Sequence, residues 1–212
     1  MKTAVIIPAA GQSTRMGVQK QLIPLGGVPV LVRTIEAFKN HSQVDEIIVL
    51  VPKDMKFVYE GIKVVEGSNT RQSSVWVGLQ HTSNDITRVL IHDAARPLVT
   101  SQIITDIINH DGCAISGVKS KDTIKITDSH GLVTDTPDRD NMWIVQTPQG
   151  FPKQVIVEAH NKAIAENFTT ATDDAMLVER MGIPVVMVAG SYSNIKLTTP
   201  EDVKIAEALM GT

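Results

Sequence analysis

The first twenty residues set the fold problem. Ala4-Val5-Ile6-Ile7-Pro8 is followed by Ala9-Ala10-Gly11, with Arg15 and Lys20 close behind. A short apolar run bounded by turn residues is a buried strand. Pro8 ends it, because proline has no N–H to give to a ladder. Ala9, Ala10 and Gly11 are small, so a ligand can come close to the backbone, and free N–H groups in such a loop attract anions. No acid occurs between Pro8 and Lys20. Strand, small-residue loop, then arginine and lysine suits a phosphate-rich ligand. The loop is not a Walker loop, and it fails the dinucleotide fingerprint because Ser13 and Met16 stand where glycines belong. The bland alternative is a tight connection after a first strand.

Composition narrows the classes. A chain of 212 residues with 42% apolar and 20% charged residues is expected to form one domain with an ample core. A net charge of −3 argues against general nucleic-acid binding, so any positive field must be local. The single cysteine, Cys113, excludes an internal disulfide framework and a cysteine-based zinc site, and its apolar neighbours predict a buried, inert thiol. No leader pattern precedes the first strand and no apolar run reaches 18 residues, which predicts a cytoplasmic protein with no membrane partner.

Buried strands and amphipathic helices then alternate. Pro29 suits a first helical position, and Leu31, Val32, Ile35 and Phe38 follow at helical spacing. Glu46–Val51 and Lys63–Glu66 read as strands, giving βαβ units and a parallel sheet. The stretch from Gly67 to Val75 is a loop feeding a helix. Thr70 or Ser68 could cap that helix, Ser73 and Ser74 could hydrogen-bond a base or phosphate, and Arg71 could hold charge; a capped helix with a solvated arginine is the alternative. Arg88–His92 is a strand with Asp93-Ala94-Ala95-Arg96 at its carboxyl end, where open α/β sheets bind ligands. Asp93 suits a hydroxyl-bearing substrate or merely closes a turn, and His92 reads as a packed histidine. A helix over Thr100–His110 and a strand over Ala114–Val118 follow.

The pattern then changes. Thr123–Thr127 alternates strictly, Asp128-Ser129-His130-Gly131 turns, and Leu132–Thr136 returns. Residues 119–141 are too thin and polar to make a core, and a lone hairpin is marginal in water. They are expected to form an arm that packs on a second copy of the chain, placing Arg139 near an active site. Met142–Thr147 is expected to return to the sheet as a strand broken by Pro148 and Pro152. A helix from Lys153, a helix capped by Thr172, a strand over Pro184–Val188 and a last helix from Pro200 complete the chain.

Each piece is weak alone, but their order is informative. Pro8 to Met16, Lys20, His92 to Pro97, Asp138-Arg139, Thr147-Pro148-Gln149, Thr172-Asp173-Asp174-Ala175 and Asn194-Ile195-Lys196 together resemble the cytidylyltransferase family of the sugar- and polyol-phosphate nucleotidyltransferases. Ser13 stands where that family usually has a second glycine. The resemblance implies a three-layer Rossmann-like nucleotidyltransferase fold over residues 1–212, mostly parallel in its sheet, with 119–141 as an inserted dimerisation arm. It implies CTP and a polyol phosphate as substrates. Pro-Ala-Ala-Gly and the short chain favour 2-C-methyl-D-erythritol 4-phosphate over ribitol 5-phosphate.

The resemblance also assigns roles. Arg15, Lys20, Arg139 and Lys196 carry the catalysis. Pro8, Ala9, Ala10, Gly11, Ser13, Gly67, Arg71, Ser74 and Ala94 bind the nucleotide. Asp93, Arg96, Thr147 and Thr172 bind the polyol. Magnesium, or another divalent cation, is expected to be held mainly by the CTP phosphates, with no protein metal residue. A nucleotide-binding module without turnover is the rival from another class, and a dinucleotide-dependent oxidoreductase is disfavoured by the failed fingerprint.

Overall fold

The structure, a computed structural model, describes residues 1–10 and 22–211. Its elements run β1 (Thr3–Pro8), β2 (Pro24–Leu25), β3 (Val28–Pro29), α1 (Val30–Lys39), β4 (Glu46–Val51), β5 (Lys63–Glu66), α2 (Arg71–Gln80), β6 (Arg88–Ile91) and α3 (Ser101–Ile108). Then come β7 (Cys113–Lys119), β8 (Ile126–Thr127), β9 (Val133–Asp135), β10 (Trp143–Pro152), α4 (Lys153–Ala165), α5 (Ala175–Glu179), β11 (Val185–Ala189) and α6 (Pro200–Met210). No described helix is long and apolar enough to cross a membrane.

Seven of the described strands form one sheet, ordered β11-β7-β10-β6-β1-β4-β5. Its pairs are parallel except those of β10, which runs antiparallel to both β6 and β7. The chain steps from β1 to β4 and β5, then returns to lay β6 on the other side of β1. The order reverses there, so ligands are expected at the carboxyl ends of these strands.

Alternation along β1 explains the layers. Ala4 and Ile6 face one cluster, with Ile48 and Leu50 of β4 and the inner sides of α2, α4 and α5. Val5 and Ile7 face the other, with Leu31, Ile35 and Phe38 of α1 and Ile104 of α3. A strand buried on both faces has no polar side to show, hence its continuous apolar run. A small third cluster joins α6 to β2 and the start of α1 through Leu25, Val30, Leu197 and Ala206. Pro29, expected at a first helical position, stands instead as the N-cap of α1, which starts at Val30. Thr70, Thr100 and Thr199 each accept a backbone N–H as N-caps, an interaction worth about 1 kcal/mol each.

Two further expectations are corrected. β10 does not break at Pro148 but continues to Pro152. Its register jumps between Val145 and Gln149, and Gln146, Thr147 and Pro148 fall in that irregularity. A residue without an N–H fits where the ladder makes no demand, and the same bulge turns Gln146 and Thr147 towards the site. The second correction concerns α5. Thr172 is not its cap; the helix begins at Ala175, and the Asp173 carboxylate accepts the Met176 N–H at 3.0 Å.

The arm is real but thinner than the alternation suggests. β8 and β9 are two and three residues long. Asp128 organises the turn, accepting from the N–H groups of His130 and Leu132, and Gly131 supplies the positive φ of 83°. Every residue from 121 to 136 is exposed. With no core to lean on, the pairing stops where the turn's reach ends.

Candidate active site

The site sits at the carboxyl ends of β1, β5 and β6. Leaving β1, the Ala9 N–H donates to the Leu50 carbonyl at 2.7 Å. Leaving β5, the Gly67 N–H donates to the Val51 carbonyl at 2.8 Å. The two loops touch so closely that a Cβ on Gly67 would overlap the Cβ of Ala10. Glycine is required there by space. Ser74, buried in the first turn of α2, accepts the Ser68 N–H at 2.9 Å and lies 2.8 Å from the Thr70 carbonyl. Its hydroxyl is therefore engaged in shaping the 67–70 loop. Ala94 is buried, and its carbonyl accepts from Thr34 at 2.9 Å.

Beyond β6 a relay of hydrogen bonds fixes the 92–96 turn. The Asp93 N–H donates to Thr147 Oγ1 at 3.0 Å, Thr147 Oγ1 lies 3.1 Å from His92 Nδ1, and His92 Nε2 lies 3.0 Å from the Arg96 carbonyl. A carbonyl only accepts, so Nε2 carries the proton and Nδ1 receives the threonine hydroxyl. Burial pushes His92 down to about 4. It is a neutral, packed histidine with its ring edge-on to Phe38, as the sequence suggested.

The relay aims Asp93 at three cations. Arg71 Nε lies 3.1 Å from Oδ1, Lys196 Nζ lies 2.8 Å from Oδ2, and Arg96 Nε lies 3.8 Å from Oδ2. Burial by itself would raise this carboxyl, but Arg71, Lys196 and Arg96 outweigh it and hold Asp93 far below the usual carboxylate range. The cations are not equally bound. Arg96 also donates to the Asn194 carbonyl at 2.7 Å. Arg71 also donates to Asp174 at 2.6 Å. Lys196, with 44% of its side chain exposed, has no second partner among the described residues.

These groups line a cavity of about 250 Å³. Of the residues nominated from sequence, Arg71, Asp93, Arg96, Thr147, Thr172 and Lys196 line it together. Arg71, nominated for the nucleotide, thus faces Asp93. Ala10, Gly67 and Ser74 meet beside one another under the β1 loop. Gly11, Ser13, Arg15 and Lys20 lie outside the described residues. Arg139 is exposed in the arm, its guanidinium donating to the Lys121 carbonyl at 3.2 Å, and it does not line the cavity.

Sequence reasoning missed a supporting layer. Gln149 donates to Asp173 at 2.8 Å and accepts from the N–H groups of Asp174 and Ala175 at 3.2 Å each. Asn194 donates to the Thr147 carbonyl at 2.9 Å. Asp174, 1% exposed, pairs with Arg71 and lies 3.3 Å from His160 Nε2. The only local signal was the Asp173-Asp174 pair at a helix start, which reads equally well as dipole chemistry. Among the described residues no group of three His, Cys, Asp or Glu side chains could hold a metal ion.

Comparison with known proteins agrees with this geometry. The family model for IspD, 2-C-methyl-D-erythritol 4-phosphate cytidylyltransferase, matches residues 3–212. A 2-C-methyl-D-erythritol 4-phosphate cytidylyltransferase from Caldanaerobacter subterraneus is 43% identical over 227 residues, covering 99% of each chain. One from Alkaliphilus oremlandii is also 43% identical, covering 100% of this chain and 96% of its own. Among solved structures, 4-diphosphocytidyl-2C-methyl-D-erythritol synthase from Anaerococcus prevotii aligns at a TM-score of 0.88 and 35% identity, covering 100% of this chain and 96% of its own. The Thermus thermophilus cytidylyltransferase aligns at 0.86 and 33%, covering all of both chains.

Proposed function

Because the chain belongs to the 2-C-methyl-D-erythritol 4-phosphate cytidylyltransferase family, we propose that it transfers CMP from CTP to that acceptor. The products are 4-diphosphocytidyl-2-C-methyl-D-erythritol and pyrophosphate, in isoprenoid biosynthesis. The observation that carries the reading is the cation-lined cavity around Asp93, set beside the small-residue cradle of Ala9, Ala10 and Gly67.

An oxygen of the acceptor phosphate forms a bond to the α-phosphorus of CTP. The bond from that phosphorus to the oxygen bridging to the β-phosphate breaks, and its electron pair leaves with pyrophosphate. A phosphate monoester has a second pKa of about 6, so the nucleophile is largely dianionic at pH 7 and needs no general base. The task is to bring anions together, by positioning and charge stabilisation.

Roles follow from place. Asp93 accepts hydroxyl hydrogen bonds of the polyol, with Thr147 and Thr172 on the same wall. Lys196 is the cation best able to leave Asp93 for the incoming phosphate, since it alone of the three lacks a second anchor among the described residues. Ala10, Gly67 and Ser74 shape the nucleotide side, and Arg15 and Lys20 stabilise the α-phosphate and the leaving group. Magnesium would neutralise triphosphate charge with phosphate and water ligands; the described residues do not fit a protein-held ion. We place Arg139 at an active site through a homodimer. Its exposed arm carries Ile126, Leu132 and Val133, which a second copy would cover. The reading places the enzyme in the cytoplasm, without nucleic-acid or membrane partners.

The test is pyrophosphate release from CTP and magnesium with methylerythritol phosphate and ribitol phosphate in parallel. Release with the first acceptor alone is expected. Release with ribitol phosphate alone would reassign the polyol pocket, and binding of CTP without release in either would make the chain a nucleotide-binding module.

A further inference from the structure

A line of alternating charge runs from the cavity into the core: Lys196, Asp93, Arg71, Asp174, with His160 behind. Its inner end is buried. Asp174 and His160 are each 1% exposed, the latter stacked at 6.0 Å on Trp76. Arg71 spreads its fork across two carboxylates, Nε to Asp93 at 3.1 Å and one terminal nitrogen to Asp174 at 2.6 Å. The partition has a consequence. An arginine facing a single carboxylate grips both oxygens with two parallel N–H groups. Asp174 takes Nη1 and thereby fixes the plane of the guanidinium, and Arg71 reaches Asp93 through Nε at Oδ1 alone, leaving Oδ2 to Lys196 at the cavity.

Asp174 does not itself line the cavity. Gln149 accepts its N–H, and α4 places His160 against Oδ1. We propose that Asp174 is a positioning residue for the acceptor half of the reaction: it orients Arg71 so that the guanidinium meets Asp93 at Oδ1 only, and Oδ2 is left to be shared between Lys196 and the polyol. The inference rests on the cytidylyltransferase reading and adds to it a residue that touches neither substrate.

The experiment compares Asp174→Asn, Arg71→Lys and the double variant with the wild-type protein. Steady-state kinetics give KM for each substrate, and calorimetry gives the affinity for CTP and for methylerythritol phosphate without turnover. Asp174→Asn keeps the shape but weakens the hold on Arg71. It is expected to raise KM and Kd for the acceptor at least tenfold while those for CTP change less than twofold. Arg71→Lys, whose single ammonium cannot span both carboxylates, keeps the scaffold if the buried variant fails to fold, and is expected to show the same split. The double variant is expected to be no worse than the worse single one, since both remove one interaction. Equal losses for both substrates, or additive losses in the double variant, would show a structural role only and overturn the inference. An unchanged acceptor affinity in both single variants would do the same while leaving the cytidylyltransferase reading intact. A wild-type protein that binds neither substrate would remove both.

Discussion

Arg96 and Arg139 are both assigned to the reaction by the order of motifs, and the fold treats them in opposite ways. Arg96 is buried, with one terminal nitrogen on the Asn194 carbonyl and Asp93 alongside. Arg139 is exposed on the arm, and among the described residues its side chain bonds to a carbonyl of the same arm. The first is placed by the sheet, because β6, β10 and the loop before α6 converge on it. The second lies in the short turn, Arg139–Asn141, that leads from the arm into β10, with its side chain exposed to solvent. Charges near the sheet are fixed before substrate arrives; Arg139 on the arm is not placed by the sheet.

Lys196→Ala tests the fixed side most sharply. Turnover is expected to fall about 100-fold, the scale for losing one charge stabiliser. Stability should move by no more than about 0.5 kcal/mol, as for an exposed side chain. Near-normal turnover in a stopped assay would mean that the outer cation of the clamp is only a counter-charge to Asp93.

His92 offers the next effect. Its native value of about 4 lies below the unfolded value of about 6.5. The unfolded chain therefore takes up a proton that the native one refuses. Stability is full above pH 6.5 and falls as pH drops towards 4, by about 3 kcal/mol for this group. Urea midpoints across that window should slope down in the wild type and slope less in His92→Gln. Equal slopes would show that the turn under Asp93 is not held by a neutral histidine.

Replacing residues 123–136 by a short Gly-Ser linker probes the other region. Sedimentation should change from dimer to monomer, while the stability of each chain changes by no more than about 1 kcal/mol, since 121–136 contribute no buried side chain. A large loss of monomer stability would mean that the arm packs on its own chain. The smallest effect is expected at Cys113, 4% exposed in β7, where burial pushes the thiol up. A thiol reagent should leave the native protein unlabelled, and Cys113→Ala should change turnover less than twofold; rapid labelling would show that β7 opens beside the arm it launches.

Strands β4 and β5 were legible to the residue because apolar runs between turn signals report burial on both faces. The helix cap at Thr70, one of two candidates with Ser68, was legible because a threonine before a helix can accept a first-turn N–H. Pro148 misled because proline excludes a ladder bond, not a strand with a bulge. Asp93 was legible by its place after a strand, whereas Asp174 was not, since an acid at a helix start looks the same whether it caps or clamps.

By itself the sequence determined the layered α/β architecture, the small-residue loop after β1, the projecting arm and the packing of His92. All of these follow from side-chain period, turn chemistry and volume within a few residues of one another. Only the tertiary structure decided that Arg71 turns to Asp93 and Asp174, and that Arg96 is anchored by Asn194. Those pairs lie 103 residues apart for Arg71 and Asp174 and 98 for Arg96 and Asn194. A charge carries no label for its partner along the chain; the partner is chosen where the sheet order brings strand ends together and burial forbids an unpaired ion.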